Sequence, residues 1–493
     1  MPNLTDLPSY TVAELFCGCG GFSHGFFRTG RFQVVLGNDL KKPALRTFAF
    51  NHKTATGSPA IIEGDIRAIT AGFIAKTFFS AGVAEGELDC LIGGPPCQGF
   101  SQLRRSEERN GNEITGFGGY NRLNKDPRND LVLRFLEIAN HIHPKIIVIE
   151  NVPQMLRHGH NGRLGGLAED VQELLDNMGY SVCCKIVNAA DYGVPQLRER
   201  VFFIASRVGS VTFPKVTHGD PAQLPSSNSH QPWITVEDAI KDLPPPSLER
   251  NDPIGGKSLD YYPPCEVSPF ASAMRSSKHF PYNHITRAYH PRIINIINKM
   301  RPGETWDHAS ARLRSHYEAL LNREICAGKT RKAALKDLTQ KGLINPVFYK
   351  SYYWSAYTRL AWGEPALTIT ANANFLGSGR FTHPEENRGI TMREAARLQS
   401  FEDDFKFITS PDSKETNNIG VGLDMIGEAV PPLLSQAFAQ QIAYHLDDAS
   451  APKSEVTTAT PNKSLEFAGY RSADYHHENE NAKSQDHSKA RLR

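Results

Sequence analysis

The sequence predicts an α/β protein built on a doubly wound, largely parallel sheet, with a smaller irregular second domain. Three observations predict it. Apolar, β-rich runs alternate with helical patterns through the first 206 residues, the rhythm of strands joined by crossover helices. The first run opens into a glycine-rich turn, and an acid closes the second run about 20 residues later, as in dinucleotide-type folds. Beyond 206 the rhythm stops and Pro/Ser-rich pieces take over.

In chain order, strands are expected at Tyr10–Leu15, Phe32–Leu36, Leu88–Ile92, Ile146–Ile149, Ser181–Val187 and Val201–Ala205, with a further short apolar run ahead of Asp65. Helical patterns fall between them at Pro43–Phe50, Asp130–His141 and Leu167–Met178. Over 207–353, stretches such as DPAQLPSSNSHQP and LPPPS surround two basic helix-like segments, Pro291–Met300 and Ser310–Leu338. RLAWGEPALTITANA and TMREAARLQSF then restore compact patterning, and Pro431–Leu446 reads as an amphipathic helix opened by proline. The expected division is 1–206 with 354–448 as one domain, 207–353 as a second, and 449–493 as a disordered, dispensable polar tail.

Composition narrows the function. With 493 residues, 40% hydrophobic and 22% charged, the chain can bury cores in two or three domains. No apolar run approaches the roughly 20 residues of a membrane span, and MPNLTDLPSY carries no signal pattern, so a cytoplasmic protein is expected. Eight scattered cysteines without a CxxC pair suggest neither a disulfide framework nor a structural zinc site. The net charge of +2 conceals an asymmetry: 270–350 holds 15 Lys and Arg against 5 Asp and Glu, a local +10 that leaves −8 elsewhere. Such a segment suits a polyanionic partner.

The chemistry is expected at the carboxyl ends of the strands. The first strand runs into FCGCGGFSHG, where glycines permit a tight turn close to a ligand and Phe16 offers an aromatic face. Asp39 stands where ribose hydroxyls are held, and Asp65, followed by Ile66, suits an adenine amino group; strand-ending or helix-capping roles remain open for both acids. GGPPCQGFS places Cys97 on a stiff, open loop, the setting of a nucleophile and not of a core thiol. Glu150, after the apolar run IIVI, is expected to be partly desolvated, with a raised pKa suited to proton donation. QLRER sets Arg198 and Arg200 two residues apart, on one face of a strand, for phosphate or a developing oxyanion; an exposed, salt-bridged edge is the alternative.

In this order and spacing, FCGCGGFS, GGPPCQGFS, ENVP, QLRER, RLAWGEPALTITAN, TMREAARLQSF and IGEAVPPLL resemble the motifs of the DNA (cytosine-5)-methyltransferases, over roughly 11–446. The resemblance implies a Rossmann-like methyltransferase domain that uses S-adenosylmethionine and no metal, with 207–353 as its target-recognition domain. It implies cofactor contacts from Phe16, Cys19, Gly21, Asp39, Asp65, Ile66, Pro96 and Leu131. Cys97 is the implied nucleophile at carbon 6 of a flipped-out cytosine, with Glu150 acting at ring nitrogen 3, Arg198 at the carbon-2 carbonyl and Arg200 orienting the catalytic loop. Double-stranded DNA is the implied partner of a monomeric enzyme of the restriction-modification type, whose cognate endonuclease would act separately. Tyr289, Trp306, His316 and Tyr317 are candidates for DNA contact or for core packing. One departure stands out: the family usually has Asn after the glycine of its last motif, and here Glu428 follows Gly427. The methyltransferase helix that usually precedes the first strand has no counterpart in ten residues, so the Pro431–Leu446 helix is expected to return to that place. A tRNA cytosine methyltransferase and a DNA-binding pseudoenzyme stay open; an assay on duplex DNA against tRNA separates the first, and cofactor binding the second.

Overall fold

A computed structural model describes residues 10–54, 57–96, 131–157, 166–223, 230–248, 266–275, 281–409 and 418–450. Cys97, the expected nucleophile, and the polar tail from 451 onward lie outside the described residues.

The chain enters through β1 (Tyr10–Leu15), α1 (Gly21–Arg28), β2 (Phe32–Asp39), α2 (Lys42–Asn51), β3 (Ala60–Glu63), α3 (Ala71–Ser80) and β4 (Cys90–Gly93). It continues through α4 (Leu131–Ile142), β5 (Ile146–Asn151), α5 (Gly166–Asn177), β6 (Ser181–Asn188), β7 (Gln196–Leu197) and β8 (Glu199–Ser206). Seven strands form one sheet in the order β3-β2-β1-β4-β5-β8-β6. The first five run parallel, while β8 is antiparallel to both β5 and β6. Strand order reverses between β1 and β4, so the glycine turn and the loop toward Cys97 both leave the sheet at the switch point where such folds bind ligands.

Both sheet faces are covered, as parallel strands require. Ala13, Leu15, Leu91 and Ile147 pack against Phe78, Phe135 and Leu175 of α3, α4 and α5. Val12, Val34, Ile92 and Val148 face Phe22 and Phe26 of α1 and Phe438 of a C-terminal helix. That helix returns from the far end of the chain, and its docking is close. A Cβ on Gly25 would lie 2.5 Å from Gln436 N, Phe438 stacks on Phe202 with centroids 4.4 Å apart, and Asp447 receives both Tyr10 Oη and Arg31 Nη2.

Between β8 and that helix lie α6 (Val236–Ile240), α7 (Pro269–Met274), α8 (Pro291–Ile297), α9 (Trp306–Cys326), α10 (Arg331–Gln340), α11 (Met392–Leu398) and α12 (Ile419–Glu428), before α13 (Pro432–Ser450). The basic stretch Ser310–Leu338 is two helices, because Gly328 takes a left-handed φ of +92° and Thr330 caps a new N-terminus by accepting from Ala333 N. One hydrophobic core joins Val236, Trp306 and Leu338 to Ile369, Phe401 and Ala429, so the boundary expected at 353/354 falls inside continuous packing. Trp306 and Tyr317 are buried in it, with Trp306 stacked on Phe348 at 4.9 Å; the packing role holds for these two, whereas His316 is exposed.

Candidate active site

At the end of β1 the backbone turns left-handed three times, at Phe16 (φ +58°), Gly18 (φ +52°) and Gly20 (φ +89°). Gly20 caps α1 and has no alternative residue: a Cβ there would lie 2.5 Å from the His52 ring. A Cβ on Gly18 would meet nothing within 4 Å, which leaves the turn open on that side. Asp39 organises the turn by accepting Gly18 N on Oδ2 and Lys41 N on Oδ1, both at 2.8 Å. Cys19 and Gly21 face the other way. The Cys19 thiol is buried against Met425 O, its pKa pushed well up by desolvation, and a Cβ on Gly21 would lie 2.5 Å from Val430 O. Any ligand contact from these two is therefore through the backbone.

Asp65 follows β3 and is clamped by Arg67, whose Nε lies 3.0 Å from Oδ1 and whose Nη2 lies 2.5 Å from Oδ2. The clamp holds the carboxyl below the usual carboxylate range. Ile66 is buried, and its carbonyl accepts Arg134 Nε at 3.2 Å, tying this rim to α4, which begins at Leu131.

β4 delivers the loop toward Cys97 directly against the end of β5. Gly93 must be glycine, since a Cβ would lie 2.6 Å from Leu15 O; one on Gly94 would lie 3.0 Å from Glu150 Oε2. Asn151 Nδ2 donates to Pro95 O at 3.2 Å, so Pro95 and the exposed Pro96 leave the sheet beside Glu150. Glu150 does not face an apolar rim alone: Arg200 Nε sits 2.8 Å from its Oε1, with side chains only 12% and 14% exposed.

The two arginines of QLRER part company, contrary to the expectation of a pair on one strand face. Arg200 lies in β8 beside Glu150, whereas Arg198 falls between β7 and β8 and is 2% exposed. Its Nη1 donates to Ile369 O (2.9 Å) and Gly427 O (3.1 Å), and its Nη2 to Gly427 O (3.2 Å). Burial, helped by the nearby Arg200 charge, pulls its pKa well down. Arg200 thus stands beside Glu150 at the end of β5, and Arg198 ties the carbonyls of Ile369 and Gly427 to the sheet.

Sequence reasoning missed several supporting residues. Gln196 accepts Ile369 N on Oε1 and donates from Nε2 to Leu398 O, and buried Glu14 accepts Ser23 N at 3.0 Å behind the glycine turn. Asn151 and Gln196 each sit inside a motif already singled out, so motif membership was the available signal. Arg67 and Glu14 had none, because each acts through packing. Among the described residues no group of His, Cys, Asp and Glu could hold a metal ion, and no helix is long and apolar enough to cross a membrane.

Comparison with known proteins bears on the same residues. Residues 10–444 match the family model of the C-5 cytosine-specific DNA methylases. Type II methyltransferase M.DdeI of Desulfomicrobium norvegicum is 30% identical over 437 residues, covering 89% of each chain. Type II methyltransferase M.AgeI of Thalassovita gelatinovora is 29% identical over 87% of this chain and 98% of its own. A solved structure described as a prophage-encoded DNA modification methyltransferase (E. coli) shares the fold, with a TM-score of 0.58 at 21% identity over 89% of this chain and 100% of that one.

Proposed function

The chain belongs to the C-5 cytosine-specific DNA methylase family and is a DNA (cytosine-5)-methyltransferase, and from that premise we propose how its residues divide the reaction. The observation that carries the proposal is the Glu150–Arg200 pair, held against the first residues of the loop that leads to Cys97.

The site fits S-adenosylmethionine. The open cradle at Gly18 leaves room above the turn, Asp39 presents a carboxylate for ribose hydroxyls, and Asp65 with Ile66 forms the wall for an adenine. Phe16, Pro96 and Leu131 complete the apolar lining, with Cys19 and Gly21 contributing backbone. When bound, S-adenosylmethionine supplies the electrophilic methyl group.

Carbon 5 of cytosine is a weak nucleophile, so the protein first makes the ring electron-rich. The Cys97 thiolate forms a bond to carbon 6, and the displaced electron pair enriches carbon 5. Glu150 donates a proton to ring nitrogen 3, and Arg200 holds both Glu150 and the carbon-2 oxygen, where negative charge gathers. Once carbon 5 carries the methyl group, loss of its proton, departure of Cys97 and return of the nitrogen-3 proton to Glu150 restore the neutral aromatic ring. The base reaches this site only outside the helical stack, at a cost of a few kcal/mol that protein contacts offset.

The substrate in this reading is duplex DNA, bound through the basic α8–α10 region by a monomeric cytoplasmic enzyme at the nucleoid, with a cognate endonuclease acting separately. Bisulfite sequencing of DNA from cells expressing the protein tests it. Methylation at one recurring site is expected; methylated tRNA with unmodified DNA would overturn it.

A further inference from the structure

Glu428, the departure from the family pattern, does not stand alone. Its Oε1 and Oε2 both lie 2.7 Å from Lys41 Nζ, with the two side chains 41% and 52% exposed. The two residues come from the start of α2 and the end of α12, helices that share one core through Ala44, Thr47 and Met425. Lys41 precedes α2, and its backbone N–H rests on the Asp39 carboxylate that also holds the glycine turn. Glu428 ends α12, the helix that covers the other side of the turn through the Cys19 thiol and Met425 O.

The mounting behind Glu428 is rigid. A Cβ on Gly427 would lie 2.2 Å from the Thr370 carbonyl carbon, and the Gly427 carbonyl receives two Arg198 donors. Glu428 therefore reaches Lys41 from a fixed base.

We propose that Lys41 and Glu428 form an electrostatic clasp that ties the Asp39 segment to the end of α12 and sets how tightly this chain holds S-adenosylmethionine. The proposal rests on the cofactor reading given above. The clasp has two effects, both of which tighten binding. It fixes Lys41, and with it the Asp39 carboxylate on which the Lys41 N–H rests, to the end of α12, which slows ligand escape. It also neutralises Glu428, whose bare carboxylate would repel the carboxylate of the ligand's methionyl group. Loss of Lys41 is accordingly worse than loss of Glu428, because only the former leaves an unmatched negative charge.

The test is direct titration of S-adenosylmethionine and S-adenosylhomocysteine into the full chain by calorimetry, comparing wild type, Glu428→Gln, Lys41→Met and the double variant at low and at molar salt. Glu428→Gln is expected to raise Kd at low salt by up to about fivefold, the range of a partly exposed ion pair. Lys41→Met should raise it further, and the double variant should fall back toward Glu428→Gln. At molar salt the ratio of Glu428→Gln to wild type should approach one, because salt screens exposed charges. Melting temperatures serve as the folding control. Equal Kd values at low salt would overturn the clasp, as would ratios that persist in molar salt, since these would indicate packing and not charge. A wild-type chain that binds neither ligand would instead overturn the cofactor reading, and the clasp with it.

Discussion

The reactive rim of the sheet and the basic α8–α10 region are both rich in charge, yet they use it in opposite ways. At the rim the charges are committed: Arg198 is fully buried on two carbonyls, and Arg200 with Glu150 and Arg67 with Asp65 form partly buried pairs. In the basic region, Arg312, Lys329, Arg331 and Lys341 pair with local carboxylates and Arg275 reaches Asp242. Arg287 and Arg314 spend donors on backbone carbonyls. Among the described residues, the side chains of Arg292, Lys299, Arg301, Arg323, Lys332, Lys336 and Lys350 make neither ion pair nor hydrogen bond. Local charge counts thus overstate binding capacity: half of the described cations hold the domain together and the rest face solvent.

The largest effects should come from the rim. Glu150→Gln and Arg200→Ala are each expected to lower kcat by about 10²–10⁴, the range for losing a positioned proton donor or charge stabiliser, with DNA affinity little changed. Single-turnover methylation with tritiated cofactor measures this. Arg198→Ala should behave differently even though it lies two residues away. Stripping buried donors from Ile369 O and Gly427 O is expected to cost about 3 kcal/mol of stability, read by denaturant unfolding. A folded, inactive Arg198→Ala variant would erase the distinction between the two arginines.

Effects in the basic region should be small, additive and salt-dependent. Each of the seven uncommitted cations that meets a phosphate contributes about 0.9 to the slope of log affinity against log salt. Neutralising Lys332 and Lys336, exposed one turn apart on α10, should reduce that slope by up to about 2 and leave kcat unchanged at saturating DNA. Neutralising the paired Arg331 should change it less, because Glu318 already holds that charge.

The subtlest effect concerns Glu14. Burial behind the glycine turn raises its pKa from 4.5 to about 8, so between those values the folded chain keeps a proton that the unfolded chain has lost. Stability therefore falls as pH rises through this window and levels off above it. Glu14→Gln can still accept Ser23 N and carries no such penalty. Its melting temperature minus that of wild type should grow from pH 4.5 to about 8. A constant difference would show that Glu14 does not titrate there.

Much of this arrangement was legible in the sequence because it depends on local signals. Alternating runs marked the strands, glycines marked the turn, and proline with glycine marked the stiff entry to the Cys97 loop. Partners far apart in the chain were not legible. Lys41 and Glu428 are separated by 387 positions, and Arg198 meets carbonyls 171 and 229 positions away. No periodicity reports a carbonyl acceptor, so two arginines in one short motif read alike until packing separated them. The break between α9 and α10 was missed for another reason: helical periodicity on both sides masked one glycine in a left-handed conformation.

The central claim is that Cys97 bonds to the target ring beside Glu150 and Arg200. Duplex DNA carrying 5-fluorocytosine at the methylated position tests it most directly, because fluorine takes the place of the proton that must leave. With S-adenosylmethionine present, wild type should form a protein–DNA adduct that survives denaturing electrophoresis, and Cys97→Ser should form none while still binding the duplex. Methyl transfer by Cys97→Ser at a near-normal rate, or active wild-type enzyme that forms no adduct, would contradict the account.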